Sequence, residues 1–162
     1  MGCMRVSGRL DGEAMNTKKR VLFLCTGNSA RSQMAEAFLR QYAGDFFEVH
    51  SAGFEPRGIH PFTIKVMEEV GFDLSEHTSK GVERYLGKTL VQVLITVCDK
   101  AEKNCPTVWP GVHQRLHWSF EDPAAFEGSD AEKLARFRTV RDEIDRKIRT
   151  WLAEQSIAIR IR

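Results

Sequence analysis

The sequence predicts one α/β domain, a doubly wound sandwich around a four-stranded parallel sheet. Three observations point there. Short apolar runs alternate with longer amphipathic stretches, the pattern of strand–helix units feeding a parallel sheet. One run, residues 90–97, is almost continuously apolar, as a strand covered on both faces must be. A third sign is a loop suited to an anion directly after the first apolar run, at the sheet edge where ligands bind in doubly wound folds.

Taken in order, residues 20–24 form the first expected strand. The helix after it places Met34, Ala35, Phe38, Leu39 and Tyr42 on one face, and Gly44 marks its end. Residues 46–50 read as the second strand, leading into Ser51-Ala52-Gly53. Pro61 suits a first helical position, and Phe62, Val66, Met67 and Val70 are expected to be buried before Gly71 ends that helix. A further helical piece is expected over 78–86. Residues 90–97 and 115–118 give the third and fourth strands. Ser129 and Glu132 have capping-box spacing, opening a helix to about residue 151. Leu134, Phe137, Arg141, Ile144, Ile148 and Trp151 share its buried face, Arg141 being the polar exception.

The chain of 162 residues suits one core, and a net charge of +2 offers no broad field for nucleic acid or an anionic membrane. No run is long and apolar enough for a bilayer. Residues 1–19 read as a flexible leader, 20–155 as the domain and 156–162 as a tail. The four cysteines, at 3, 25, 98 and 105, fit reactive thiols in the cytoplasm better than disulfide staples, Cys3 being a bystander in the leader. The five histidines show no metal spacing, and no metal or organic cofactor is expected.

Chemistry concentrates at Cys25-Thr26-Gly27-Asn28-Ser29-Ala30-Arg31-Ser32. In such a loop the backbone N–H groups of residues 26–31 converge on a tetrahedral anion, as in anion nests and at helix N-termini. Arg31 holds two anion oxygens with its planar fork. Cys25 is the expected nucleophile, and the positive surroundings are expected to lower its pKa.

Cys98 follows the third strand and so shares the sheet edge with the anion loop. Six residues separate it from Cys105, too many for a zinc knuckle or a compact redox turn. Wound as a helix, that segment would hold the two Cα atoms about 10 Å apart. A disulfide tolerates roughly 7 Å, so the segment must loop or unwind for the two to join. In the long stretch 121–128, proline extends Asp122 and aims its carboxyl toward the site as a proton donor.

Together these residues resemble the thioredoxin-coupled arsenate reductases, which share the low-molecular-weight tyrosine phosphatase fold. The likeness spans roughly residues 20–152. It rests on residues 25–36, Ser51-Ala52-Gly53, Cys98 with Cys105-Pro106, and His117-Trp118-Ser119-Phe120-Glu121-Asp122-Pro123, with residues 138–144 similar to the family's last helix.

The resemblance implies that Cys25 attacks arsenate, Ser32 hydrogen-bonds its sulfur and Asp122 protonates the departing oxygen. Cys98 then attacks Cys25, expelling arsenite, and Cys105 attacks Cys98. Thioredoxin is the implied reductant of the resulting disulfide, with a glutaredoxin or a low-molecular-weight thiol as the alternatives, and the reaction serves arsenic detoxification. Phosphate or sulfate would mimic the anion, and a monomer is expected. Asn28, Glu36 and Ser51 match ligands of a potassium site found in some members, whereas Lys80 stands in place of an aspartate. Ala30 replaces a cysteine present in some members, outside the relay. Ala124-Ala125 replace aromatic residues with which the phosphatases grip a phenyl ring, favouring a small inorganic oxyanion. Two other functions stay open at this point. One is a phosphotyrosine or small phosphomonoester phosphatase whose extra cysteines protect the nucleophile; the other is a non-enzymatic thiol sensor of arsenite or oxidants.

Overall fold

A computed structural model describes residues 18–160. The expected leader, apart from its last two residues, and Cys3 lie outside them. Strands β1 (Lys19–Cys25), β2 (Phe47–Gly53), β3 (Val93–Thr96) and β4 (Gln114–His117) form one sheet, ordered β2-β1-β3-β4 with every pair parallel. Helices are α1 (Arg31–Ala43), α2 (Pro61–Glu69), α3 (Asp99–Asn104) and α4 (Asp130–Glu154). The chain leaves β1 toward β2 on one side and returns to β3 on the other. The loops after β1 and β3 therefore diverge from adjacent strands, which opens a crevice at the carboxyl edge.

The core is the one the periodicity predicts. Val21 to Leu24, Leu94 and Ile95 are fully buried, as are Met34, Leu39, Phe137, Ile144 and Ile148. Each such large side chain contributes on the order of 1.5–3 kcal/mol by leaving water. Trp151 stacks on Phe47 at 5.5 Å and meets Trp118 edge-on at 5.8 Å. The Ser129–Glu132 capping box is present. Buried Arg141 is satisfied by Val66 O and Glu69 Oε1, both at 2.9 Å, so it fastens α4 to α2. Arg138 adds three more hydrogen bonds to the Glu69 carboxylate.

Four expectations change. Residues 78–86 form no helix beyond the 3-10 turn Val82–Arg84, because their backbone groups are committed elsewhere. Gly53 N–H donates to Lys80 O at 2.8 Å, Lys80 N–H donates to Asn28 Oδ1 at 2.8 Å, and Gly81 bridges Gly53 in parallel. The third strand is limited to four residues: Leu90 is exposed, and the Gln92 side chain accepts from Arg20 N–H at 2.7 Å. Val70 is exposed, since it caps α2 instead of continuing its buried face. Within the expected tail, Ile157 and Ile159 pack against the core and Arg160 N–H donates to Tyr42 O at 2.9 Å.

Candidate active site

The loop from Cys25 to Ala30 is held in shape by Asn28. Its φ of +49° lies in the left-handed region, which asparagine tolerates better than most side chains. The fully buried amide braces four directions. Its nitrogen donates to Ser32 Oγ (2.7 Å) and Ser51 Oγ (3.0 Å), and its oxygen accepts from Gln33 Nε2 (3.0 Å) and Lys80 N–H (2.8 Å). Beneath it Ser51 donates to Glu36, whose other oxygen accepts from Arg40 Nη2 at 2.5 Å. Lys80 Nζ lies 3.7 Å from Glu36 Oε1 and donates to Thr78 O at 2.6 Å. Burial pushes the Lys80 ammonium below its ordinary pKa, and Glu36 opposes that shift. Thus Asn28, Glu36, Ser51 and Lys80 do come together, as one buried polar strut. Gly53 closes it from β2: a Cβ there would sit 2.6 Å from Thr26 O and 2.8 Å from Asn28 N. Only glycine permits that approach.

Cys25 Sγ is the centre of the loop. It accepts from Asn28 N–H at 3.0 Å and shares a proton with Ser32 Oγ at 2.8 Å. Ala30 caps α1 without a side-chain bond, so the helix directs its N-terminal N–H groups at the same place. The expected lowering of the Cys25 pKa is corrected here. Burial pushes the thiol up and outweighs Ser32, Arg31 and the Asn28 N–H, which all favour the thiolate.

Arg31 opens α1 and reaches across the crevice. Its Nη1 donates to Phe120 O at 3.1 Å, and its Nη2 lies 3.6 Å from Asp122 Oδ2. Asp122 is extended before Pro123, as expected, and its other oxygen caps the turn Pro123–Ala125 through Ala124 N–H at 3.0 Å. The acid is partly exposed while the arginine is nearly covered, so Asp122 faces the opening and Arg31 the floor.

These groups line a cavity of about 500 Å³ that also holds Cys98. Cys98 is buried at the head of α3. Its Sγ lies 3.5 Å from Thr26 Oγ1 and accepts from Ala101 N–H at 3.4 Å, so the thiol is the helix N-cap. Cys105 is buried at the other end of α3 and does not line the cavity. Burial pushes its thiol up, Glu102 adds to that, and Arg115 opposes. The three cysteines are free thiols. The fold therefore unites Cys25, Arg31, Ser32, Asp122 and Cys98, and holds Cys105 one wound helix away.

Sequence reasoning missed Arg57, Asp99 and Ser119 on the cavity wall. Arg57 N–H donates to Gly27 O at 3.0 Å, but no local pattern marks it. Asp99 accepts from Ser119 Oγ at 2.9 Å, a pairing set by strand register that no spacing rule exposes. Among the described residues no cluster of three or more His, Cys, Asp or Glu side chains is placed to hold a metal, and no helix is long and apolar enough to cross a membrane.

Residues 20–159 match the low molecular weight phosphotyrosine protein phosphatase family. The chain belongs to that family. Within it, the chain is 47% identical to an arsenate reductase of Halalkalibacterium halodurans, over 83% of this chain and 95% of that one. A solved arsenate reductase in a phosphate-binding state matches 84% of this chain and 98% of its own, with a TM-score of 0.69 and 35% identity. A thioredoxin-dependent arsenate reductase of Corynebacterium glutamicum matches 89% of this chain and 65% of its own, with a TM-score of 0.65 and 30% identity.

Proposed function

We propose that the chain is an arsenate reductase in which electrons reach arsenic from Cys98 and Cys105 by way of Cys25. The observation that carries this reading is the shared cavity: a second buried thiol, Cys98, stands beside the anion loop, within reach of Thr26. A phosphatase needs one thiol there, and the similarity to arsenate reductases supports a use for the second.

Arsenate enters the loop formed by Thr26, Gly27, Asn28, Ser29, Ala30 and Arg31. Arg31 turns from Phe120 O and Asp122 to the anion. Ser32 and the Asn28 N–H stabilise Cys25 as thiolate against its burial. The sulfur displaces one oxygen, which leaves with a proton from Asp122, giving a Cys25–arsenic bond. Cys98 then attacks Cys25 Sγ. The electron pair of the breaking sulfur–arsenic bond stays on arsenic, which becomes trivalent and departs as arsenite, and a Cys25–Cys98 disulfide forms. Cys105 attacks Cys98, freeing Cys25 as thiolate and leaving a Cys98–Cys105 disulfide. Thioredoxin returns two electrons to that bond by exchange, in keeping with the thioredoxin-dependent relative. Lys80 Nζ, 3.7 Å from Glu36 beneath the loop, occupies the place where some family members hold a potassium ion. Exchanging potassium for sodium in the buffer leaves the rate nearly unchanged.

The test is arsenate-dependent NADPH oxidation coupled through thioredoxin and its reductase. Cys25→Ser abolishes it. Cys98→Ser and Cys105→Ser each stop multiple turnover. Undiminished NADPH oxidation in either of the latter variants would remove that cysteine from the relay, and hydrolysis of a phosphomonoester with no arsenate-dependent NADPH oxidation by the parent chain would reduce the reading to ester hydrolysis at Cys25.

A further inference from the structure

Helix α3 has six residues, too few to be stable alone. It is held at both of its carboxylates. Asp99 Oδ1 accepts from His117 Nε2 at 3.0 Å and Ser119 Oγ at 2.9 Å. Glu102 Oε1 accepts from Thr96 Oγ1 at 2.7 Å. The two anchorages are joined, because Thr96 Oγ1 also meets His117 Nδ1 at 2.8 Å.

The Thr96 hydroxyl also donates toward Leu116 O at 3.4 Å, which ties it to β4. The Ser119 and His117 bonds hold the Asp99 carboxyl below its usual range, so it accepts from His117 Nε2–H. His117 thus spans Asp99, through Nε2 at 3.0 Å, and, through Nδ1 and the Thr96 hydroxyl, Glu102. Neither the anion loop nor Cys25 takes part in these bonds. All three holding residues belong to the end of β3, the end of β4 and the residues just beyond it, and β3 and β4 are paired in the sheet independently of α3.

We propose that Thr96, His117 and Ser119 form a clasp on Asp99 and Glu102 that keeps α3 wound, and that releasing this clasp sets how readily Cys98 and Cys105 join. They are positioning residues: none of them forms or breaks a bond to sulfur. The proposal rests on the relay described above. Joining the two thiols requires their Cα atoms to close from about 10 Å to less than roughly 7 Å, which a wound α3 forbids. The clasp therefore stabilises the dithiol and not the disulfide. Weakening it moves the thiol–disulfide equilibrium toward the disulfide and makes that bond harder to reduce.

The experiment equilibrates the full chain carrying Cys3→Ser and Cys25→Ser in dithiothreitol redox buffers and measures the Cys98–Cys105 disulfide fraction by thiol trapping. No arsenate is present. Against this background, Ser119→Ala and Thr96→Val each shift the equilibrium about tenfold toward the disulfide. Ser119→Thr, which keeps the hydroxyl, restores the parent value. Ser119 is exposed, so its alanine variant folds even if the Thr96 variant does not. An unchanged equilibrium in Ser119→Ala, or an equal shift in Ser119→Thr, overturns the clasp. Failure of arsenate turnover in the chain with all its cysteines intact, alongside a shifted equilibrium in the Cys25→Ser background, would strike the reductase reading and leave the clasp standing.

Discussion

The two sulfur-bearing segments that meet at the cavity are built in opposite ways. The Cys25 loop is over-determined: one buried asparagine ties it to α1, to β2 and to the segment at Lys80, and Gly53 lets β2 press against it. The α3 segment is a six-residue helix held by a few partly exposed side chains, with buried Ala101 as its apolar anchor. The nucleophile must meet its substrate in one geometry, and rigidity serves that. The resolving pair must change partners, and a segment of low local stability serves that.

Three experiments break or sharpen this contrast. The largest effect is expected on the rigid side. Arg31→Lys keeps the charge but loses the fork, and kcat/KM for arsenate falls by about 10²-fold. A fall of less than threefold would mean that the loop amides alone position the anion. Asn28→Ala acts instead on the loop's stability. It strands buried partners on three sides and costs about 3 kcal/mol of stability by denaturant unfolding, with loss of activity. Its counterpart in the pliant segment, Ala101→Gly, costs only about 1 kcal/mol and leaves anion binding intact. Equal losses in the two variants would erase the distinction.

The smallest effect lies far from both. The two arginines of α4 pull the Glu69 carboxyl down to about 2 from an ordinary 4.5. A depressed carboxylate adds stability that is fully present above pH 4.5 and is lost as pH falls toward 2. Glu69→Gln therefore flattens the decline in melting temperature across that window and does not change the behaviour of either thiol segment. A steeper decline would reverse the sign of this account.

Much of this was legible in the residues themselves. The anion loop could be read because its parts are contiguous: Gly27, Asn28, Arg31 and Ser32 stand next to the cysteine they serve. Helices α1 and α4 could be read from long apolar periodicity, and α4 also from Ser129 and Glu132. What escaped depends on distant partners. The segment 78–86 has its backbone engaged by Gly53 and Asn28, and nothing local announces that. The upward push on the Cys25 thiol comes from burial under several elements, whereas the loop's own contribution, which was readable, points downward. The His117–Asp99 contact exists only once β4 is in register with β3.

The β1–β3 register carries one more consequence. Leu24 lies opposite Thr96, and Val97 N–H donates to Leu24 O at 2.9 Å, so a single rung of backbone spaces the first thiol from the second. Side chains alternate along a strand, so adding or deleting one residue between Thr96 and Cys98 would turn the second sulfur to the opposite side of the sheet. The two-residue step from Thr96 to Cys98 therefore sets which side of the sheet the second sulfur serves, before the helix that follows it begins.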